Sequence, residues 1–80
     1  MKLEIFSETI LSFRKRTPYH PFAIVTVTGE KYEIDRPDAI VERDGMAVYA
    51  APGGIPVIFD HEGVSEIIGD LANRDTKVNF

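Results

Sequence analysis

The first sixteen residues carry their apolar side chains at helical spacing. Four of them fall at intervals of three, four and three residues: Leu3, Phe6, Ile10 and Phe13. Side chains at this spacing line one face of an α-helix, so the pattern predicts a helix over residues 3–16 with that face on the core. Pro18 disfavours the helical conformation at the residue before it, which ends the helix.

A β-hairpin is predicted after this helix. Residues 22–28 are rich in β-branched side chains, and Thr28, Gly29 and Glu30 then supply a turn. Polar and apolar residues alternate over residues 31–35, which is typical of a strand with one face in water. We expect the apolar members of this strand, Tyr32 and Ile34, to point inward.

Short apolar segments separated by turn signals predict the remaining strands. Residues 36–39 form a turn or a single helical turn, and Ile40 begins a third strand. A turn at residues 43–45 places a fourth strand, residues 46–50, antiparallel to the third. Residues 56–59 are predicted to be a fifth extended segment, which could pair with the fourth strand. The apolar run at residues 64–68 fits a last strand or one turn of helix, and we favour the strand.

A helix followed by about five short antiparallel strands is the element order of the SH3-like and Sm-like small barrels. We therefore expect an α+β, mainly β, fold in which residues 1–69 form a single small-barrel domain. Residues 70–80 lose any pattern and are expected to be a loosely ordered C-terminal tail. A chain of this size has room for one core only.

Two resemblances accompany this pattern. The strand–turn–strand stretch at residues 24–32, with the later Phe59-Asp60-His61, resembles the Sm-like barrels of the Hfq type. Residues 10–68 are also similar to a set of short bacterial proteins that carry Pro-Phe, Gly, aromatic-x-Ile and Pro in this order. The Hfq-type RNA site has a basic residue where Asp60 stands here, so the resemblance implies the fold and ring or dimer formation rather than RNA binding.

Charge is distributed unevenly along the chain. Residues 1–21 hold four basic and two acidic side chains, a net +2, whereas residues 22–69 hold three basic and nine acidic side chains, a net −6. The acidic segment, residues 22–69, repels phosphate backbones, which disfavours a nucleic-acid partner.

Cysteine is absent, so stability has to come from packing or association rather than from disulfides or a thiolate metal site. Glu4 and Glu8 lie where a secretory signal needs an apolar stretch, and no segment has membrane-spanning length, so we expect a cytoplasmic protein without a membrane partner.

One basic cluster stands against this acidic background. Arg14, Lys15 and Arg16 precede Tyr19 and His20, a combination of cations and an aromatic ring that could contact a nucleic acid or a protein partner. The alternative is that the three cations complement the negative end of the helix dipole, and we favour that alternative because the cluster offers too few phosphate contacts.

A second cluster, Asp60-His61-Glu62, contains metal-ligating side chains, and His20 could join them. Consecutive residues of a strand point to opposite faces, so we expect these three not to converge and the segment to be a solvated turn. No serine lies in a nucleophile elbow, and the carboxylate pairs lie on the solvent side. We therefore predict no catalytic, cofactor or metal site.

These observations predict a non-enzymatic binding or assembly module. Short strands leave edges unpaired, and Ile5 and Leu11 fall outside the apolar stripe of the helix, so we expect homo-oligomers or a protein partner. The alternative is an Sm-like nucleic-acid binder that uses the basic end of the helix. An enzyme acting through Asp60 and His61 ranks last.

Overall fold

The computed structural model describes residues 1–69, which contain one α-helix, six strands and two single-turn 3-10 helices. The α-helix, α1, spans Leu3–Arg14. The strands are β1 (Phe22–Thr26), β2 (Lys31–Ile34), β3 (Ile40–Arg43), β4 (Met46–Ala51), β5 (Ile55–Asp60) and β6 (Val64–Ile68). The first 3-10 turn, Pro37–Ala39, precedes β3, and the second, His61–Gly63, precedes β6. The class α+β, mainly β, is confirmed, with six strands instead of about five.

The helix α1 buries the middle of its predicted stripe. Phe6 and Ile10 are fully buried, and Phe13 is partly buried against the ring of Phe22, with 5.3 Å between the ring centroids. Leu3, at the first turn, remains partly exposed. The helix ends two residues earlier than predicted, and the Lys15 N–H closes it on the carbonyl oxygen of Leu11.

The strands form two antiparallel three-stranded sheets. The first sheet has the order β2-β1-β6, and the second has the order β3-β4-β5. The predicted hairpin of β1 and β2, the pairing of β3 with β4 and the pairing of β4 with β5 are all confirmed. The segment that fitted a strand or a helical turn is β6, and it pairs with β1.

The predicted SH3-like or Sm-like barrel is wrong, because the two sheets do not close on each other. The chain leaves the first sheet through the first 3-10 turn and returns to it through the second. Backbone bonding in the first turn is local, since the Ala39 N–H donates to the Arg36 carbonyl at 3.2 Å, and Pro37 has no N–H to donate. These residues cannot extend a ladder between sheets, and no strand pair among residues 1–69 joins the two sheets.

One core cluster draws side chains from α1 and from both sheets. Its buried members are Phe6, Ile10, Phe22, Ile24, Ile34, Ala39, Ile40, Ala47, Tyr49, Phe59 and Val64. Ile34 faces this core and Tyr32 is partly buried against it, as predicted for β2. The Tyr49 hydroxyl in the second sheet donates to the Glu33 carbonyl in the first at 2.9 Å, which ties the sheets together without a ladder.

Two further expectations from the sequence concern the C-terminal tail and the crossing of a membrane. The predicted loosely ordered tail, residues 70–80, lies outside the described residues. Over residues 1–69, the helices fall short of the length and apolar character that a membrane crossing requires.

The turn between β3 and β4 needs an unusual backbone. Asp44 has φ of 54° and Gly45 has φ of 84°, and Arg43 pairs directly with Met46 across the turn. Positive φ at both central residues is characteristic of a two-residue type I′ hairpin turn. The Glu42 carboxylate accepts hydrogen bonds from the Gly45 N–H at 2.9 Å and from the Ser7 hydroxyl, so it joins the turn to α1.

Gly45 is also closely packed against the side chains of Leu3 and His61. A Cβ atom there would lie 2.8 Å from Cδ2 of His61 and 2.9 Å from Cγ of Leu3. We expect Gly45→Ala to lower the free energy of unfolding by about 2–5 kcal/mol, because left-handed strain of about 1–2 kcal/mol adds to overpacking of about 1–3 kcal/mol. Urea denaturation of the full chain measures this change.

Gly53→Ala is the matched control for that substitution. Gly53 also has positive φ, 86°, but a Cβ atom there would meet nothing within 4 Å. We expect only the strain, about 1–2 kcal/mol. Equal losses in the two variants would show that the packing of Gly45 against Leu3 and His61 contributes nothing.

Candidate functional site

The second sheet exposes an apolar row on its outer face. Val41 of β3 pairs with Val48 of β4, and Val48 pairs with Ile58 of β5, so the three side chains cross the sheet side by side. Their exposed fractions are 59%, 47% and 65%. On β4 the residues on either side of Val48, Ala47 and Tyr49, are buried, as expected when successive side chains alternate between faces.

A second row beside the first places charges at the two edges of the sheet. Arg43 pairs with Met46, and Met46 pairs with Asp60, so a cation and an anion flank an exposed methionine. We call the six residues of these two rows the outer face: Val41, Val48, Ile58, Arg43, Met46 and Asp60. Five of them, all except Asp60, line a shallow depression of about 460 Å³ together with Asp44.

The edges of the second sheet differ in their hydrogen-bonding capacity. Within the described part of the chain, β3 and β5 each have one strand neighbour, β4. Pro56 lies in β5 opposite Ala50 and has no N–H group. The outward side of β5 therefore lacks a donor at this residue, whereas β3 contains no proline.

The outer face was not identified as a site from the sequence. A signal for it was present, because Ile40-Val41, Ala47-Val48-Tyr49 and Val57-Ile58-Phe59 are runs of apolar residues in antiparallel strands. A strand with one face in water alternates polar and apolar residues, as β2 does. Consecutive apolar residues in three paired strands indicate that both faces of the sheet are apolar.

The structure assigns the two arginines of the predicted basic cluster to internal contacts. Arg14 Nε donates to the carbonyl oxygen of Pro37 at 3.0 Å, which fastens the helix end to the first 3-10 turn. The guanidinium of Arg16 lies 4.5 Å from the centroid of the Phe13 ring, and its Nη2 donates to the His20 carbonyl at 3.1 Å. Arg14 thus joins the helix to the turn before β3, and Arg16 holds the connector between α1 and β1 in place.

The other three residues of the cluster separate into one internal and two external side chains. The Tyr19 hydroxyl donates to the Ile34 carbonyl at 2.6 Å. The Tyr19 ring lies edge to face against the ring of Phe22, with 6.4 Å between the ring centroids. Lys15 and His20 are exposed. The five side chains therefore do not form one continuous exposed patch, and their contact with a nucleic acid or protein stays a prediction from the sequence.

Burial of Tyr19 has a measurable consequence at high pH. Desolvation, opposed by the nearby Arg16 and supported by Asp35, raises the pKa of Tyr19 to about 12. The unfolded pKa of tyrosine is about 10, so the folded chain holds this proton more tightly. The stabilisation is complete below pH 10 and is lost as the pH rises toward 12.

We predict that Tyr19→Phe lowers the free energy of unfolding by about 1 kcal/mol at neutral pH, because a hydrogen bond to the Ile34 carbonyl is lost. The variant should also lose less stability than the wild type between pH 10 and 12. Burial raises the pKa of Tyr49 as well, so some loss remains in the variant. Urea denaturation across this pH range measures both effects, and identical pH profiles would contradict the assignment to Tyr19.

The solvent side of α1 is a second, weaker apolar area. Ile5 and Leu11, predicted to lie off the stripe, are 52% and 48% exposed. Leu11 borders a shallow groove of about 300 Å³ beside β3, which Glu8, Arg14 and Glu42 also line. Three charged side chains in so small a groove make it less apolar than the outer face of the second sheet.

The segment Asp60-His61-Glu62 departs from its predicted geometry. We expected the side chains to diverge as in a strand, but the second 3-10 turn begins at His61 and brings one potential ligand atom from each residue within 4.8 Å of the others. Asp60 Oδ1 accepts from the Glu62 N–H at 3.0 Å, and His61 Nδ1 is paired with the Met1 carbonyl at 2.9 Å. These bonds give the cluster a structural role at the start of β6.

The amino group of Met1 supports the same turn. It donates to the carbonyl oxygens of His61 and Val64, each at 3.0 Å. His61 is thereby held between Met1 and Gly45, whose carbonyl accepts from the His61 N–H at 2.8 Å. His20, the fourth ligand considered from the sequence, lies on the exposed connector and is not part of this cluster.

In comparisons with family models, with curated proteins and with solved structures, no match to this chain was found. The resemblance to Hfq-type proteins and to the short bacterial proteins therefore stays a prediction.

Proposed function

We propose that this chain is a non-enzymatic protein-binding or self-assembly module that uses the outer face of its second sheet. The observation that carries the proposal is the row Val41–Val48–Ile58, three adjacent side chains that are each about half exposed or more. Contiguous apolar surface of this kind marks interaction sites in proteins, whereas single exposed apolar residues are common and need no explanation.

The shape and chemistry of the face support this function. The apolar row lies on a regular three-stranded sheet, so its side chains are presented at fixed positions and little conformational entropy is lost when a partner covers them. Charged residues lie at its margins, Arg43 on β3 and Asp60 on β5. An apolar centre with a polar rim is the usual organisation of a protein interface.

A photo-cross-linking experiment on the full chain tests the proposal. Ile58 is replaced by p-benzoylphenylalanine, and the protein is irradiated both purified and in its native host. We expect covalent adducts with a second polypeptide chain, because a partner covers Ile58. Gel electrophoresis and mass spectrometry measure the adducts.

The same photo-reactive residue at Val27 is the matched control. Val27 is 64% exposed, almost the same as Ile58 at 65%, but it lies at the turn between β1 and β2. Adding Val48→Lys to the Ile58 variant should suppress its adducts, because a charge is then buried in the contact. No adduct at Ile58 in either setting, or equal yields at Ile58 and Val27, would contradict the proposal.

A further inference from the structure

We propose that the partner of the outer face is a second copy of this chain, related by a twofold axis that runs parallel to the strands. This inference rests on the proposed function, since it names the partner of the same surface. It commits to a face-to-face pair of second sheets, in which the two central β4 strands lie over each other.

The order of the rows makes the face complementary to itself under this symmetry. A twofold axis parallel to the strands and centred on β4 exchanges the left and right edges of the sheet, so β3 of one copy lies over β5 of the other. Val48 then meets Val48 of the second copy. Val41 meets Ile58 of the second copy, and Ile58 meets its Val41, so the whole apolar row is covered.

The charges at the edges select this axis over the alternative. Arg43 and Asp60 occupy the same row at opposite edges, with Met46 between them. The proposed axis places each Arg43 over Asp60 of the second copy and forms two equivalent ion pairs. An axis perpendicular to the strands, in the same plane and through the apolar row, would leave each edge over itself, so Arg43 would not meet Asp60 of the second copy and neither ion pair would form.

The size of the face sets the strength of the association. Three strands about 4.8 Å apart and up to six residues long, at about 3.3 Å per residue, give a footprint of roughly 300 Å² per copy. Stable interfaces bury about 800 Å² per partner, so this one is small. We therefore expect a reversible dimer with a dissociation constant of roughly 10–1000 µM, which forms at high local concentration.

Site-specific cross-linking tests the proposed arrangement of the two copies. The sequence contains no cysteine, so an introduced cysteine is the one thiol that can react in each variant. The variants are Val48→Cys, Val41→Cys and Ile58→Cys in the full chain, each at an exposed position. The reagent is a short bis-maleimide, because packed sheets lie about 10 Å apart. Val48→Cys should cross-link to itself. A mixture of Val41→Cys with Ile58→Cys should cross-link to a heterodimer in higher yield than either variant alone.

The opposite pattern overturns the inference. If Val41→Cys and Ile58→Cys each cross-link to themselves but not to one another, the axis is perpendicular to the strands. If none of the three cross-links under conditions where sedimentation shows a dimer, the copies meet through another surface. If photo-adducts at Ile58 contain only a different polypeptide, the proposed function stands and the inference of a second copy fails.

Charge reversal provides an independent readout by sedimentation equilibrium. We expect Arg43→Asp to weaken the dimer by about tenfold or more, because two attractive pairs become repulsive. Mixing it with Asp60→Arg should restore association as a heterodimer, since both cross-pairs are then attractive. An Arg43→Asp variant that dimerises as tightly as the wild type would overturn the ion pairs and the axis.

Asp60 also accepts a hydrogen bond in the second 3-10 turn, so its reversal needs a folding control. Asp60→Asn keeps an acceptor for the Glu62 N–H and removes only the charge. We expect it to unfold at nearly the wild-type urea concentration and to weaken the dimer less than Arg43→Asp does. Unchanged dimerisation in Asp60→Asn would show that Asp60 does not meet Arg43 of a second copy.

Discussion

The register between β3 and β4 is the constraint on which the candidate surface depends. The turn with positive φ at Asp44 and Gly45 pairs Arg43 with Met46, and this pairing places Val48 on the outside and Tyr49 in the core. A slip of one residue would exchange the two faces of β4, bury Val48 and expose Tyr49, whose hydroxyl ties the sheets together. Core and surface are thus determined by the same two turn residues.

Local features of the fold could be predicted from the sequence, because they depend on spacing and turn chemistry alone. The stripe through Phe6 and Ile10 identified the helix, and alternation and glycine-containing turns identified the strands and their antiparallel neighbours. The barrel could not be tested at that level, because its closure depends on contacts between distant strands. The first 3-10 turn, with Pro37 at its start, redirects the chain between two sheets, and a short turn signal does not reveal that direction.

The candidate site was less predictable than the fold for a related reason. A cluster of charged and aromatic residues indicates a binding site in a sequence, yet Arg14, Arg16 and Tyr19 make internal contacts. Apolar residues are assigned to the core by default, yet Val41 and Ile58 face outward, because each strand must place alternate residues on opposite sides. Only the cross-strand pairing shows that these outward residues are neighbours.

Pro56 limits how copies of this chain can join. An exposed sheet edge normally offers a template on which further strands add without limit, the first step toward fibrous aggregates. Proline breaks that template on β5, so a sheet cannot grow from this side in an unbroken register. The chain can therefore carry an adhesive apolar face at high concentration while remaining protected, along one border, against open-ended polymerisation.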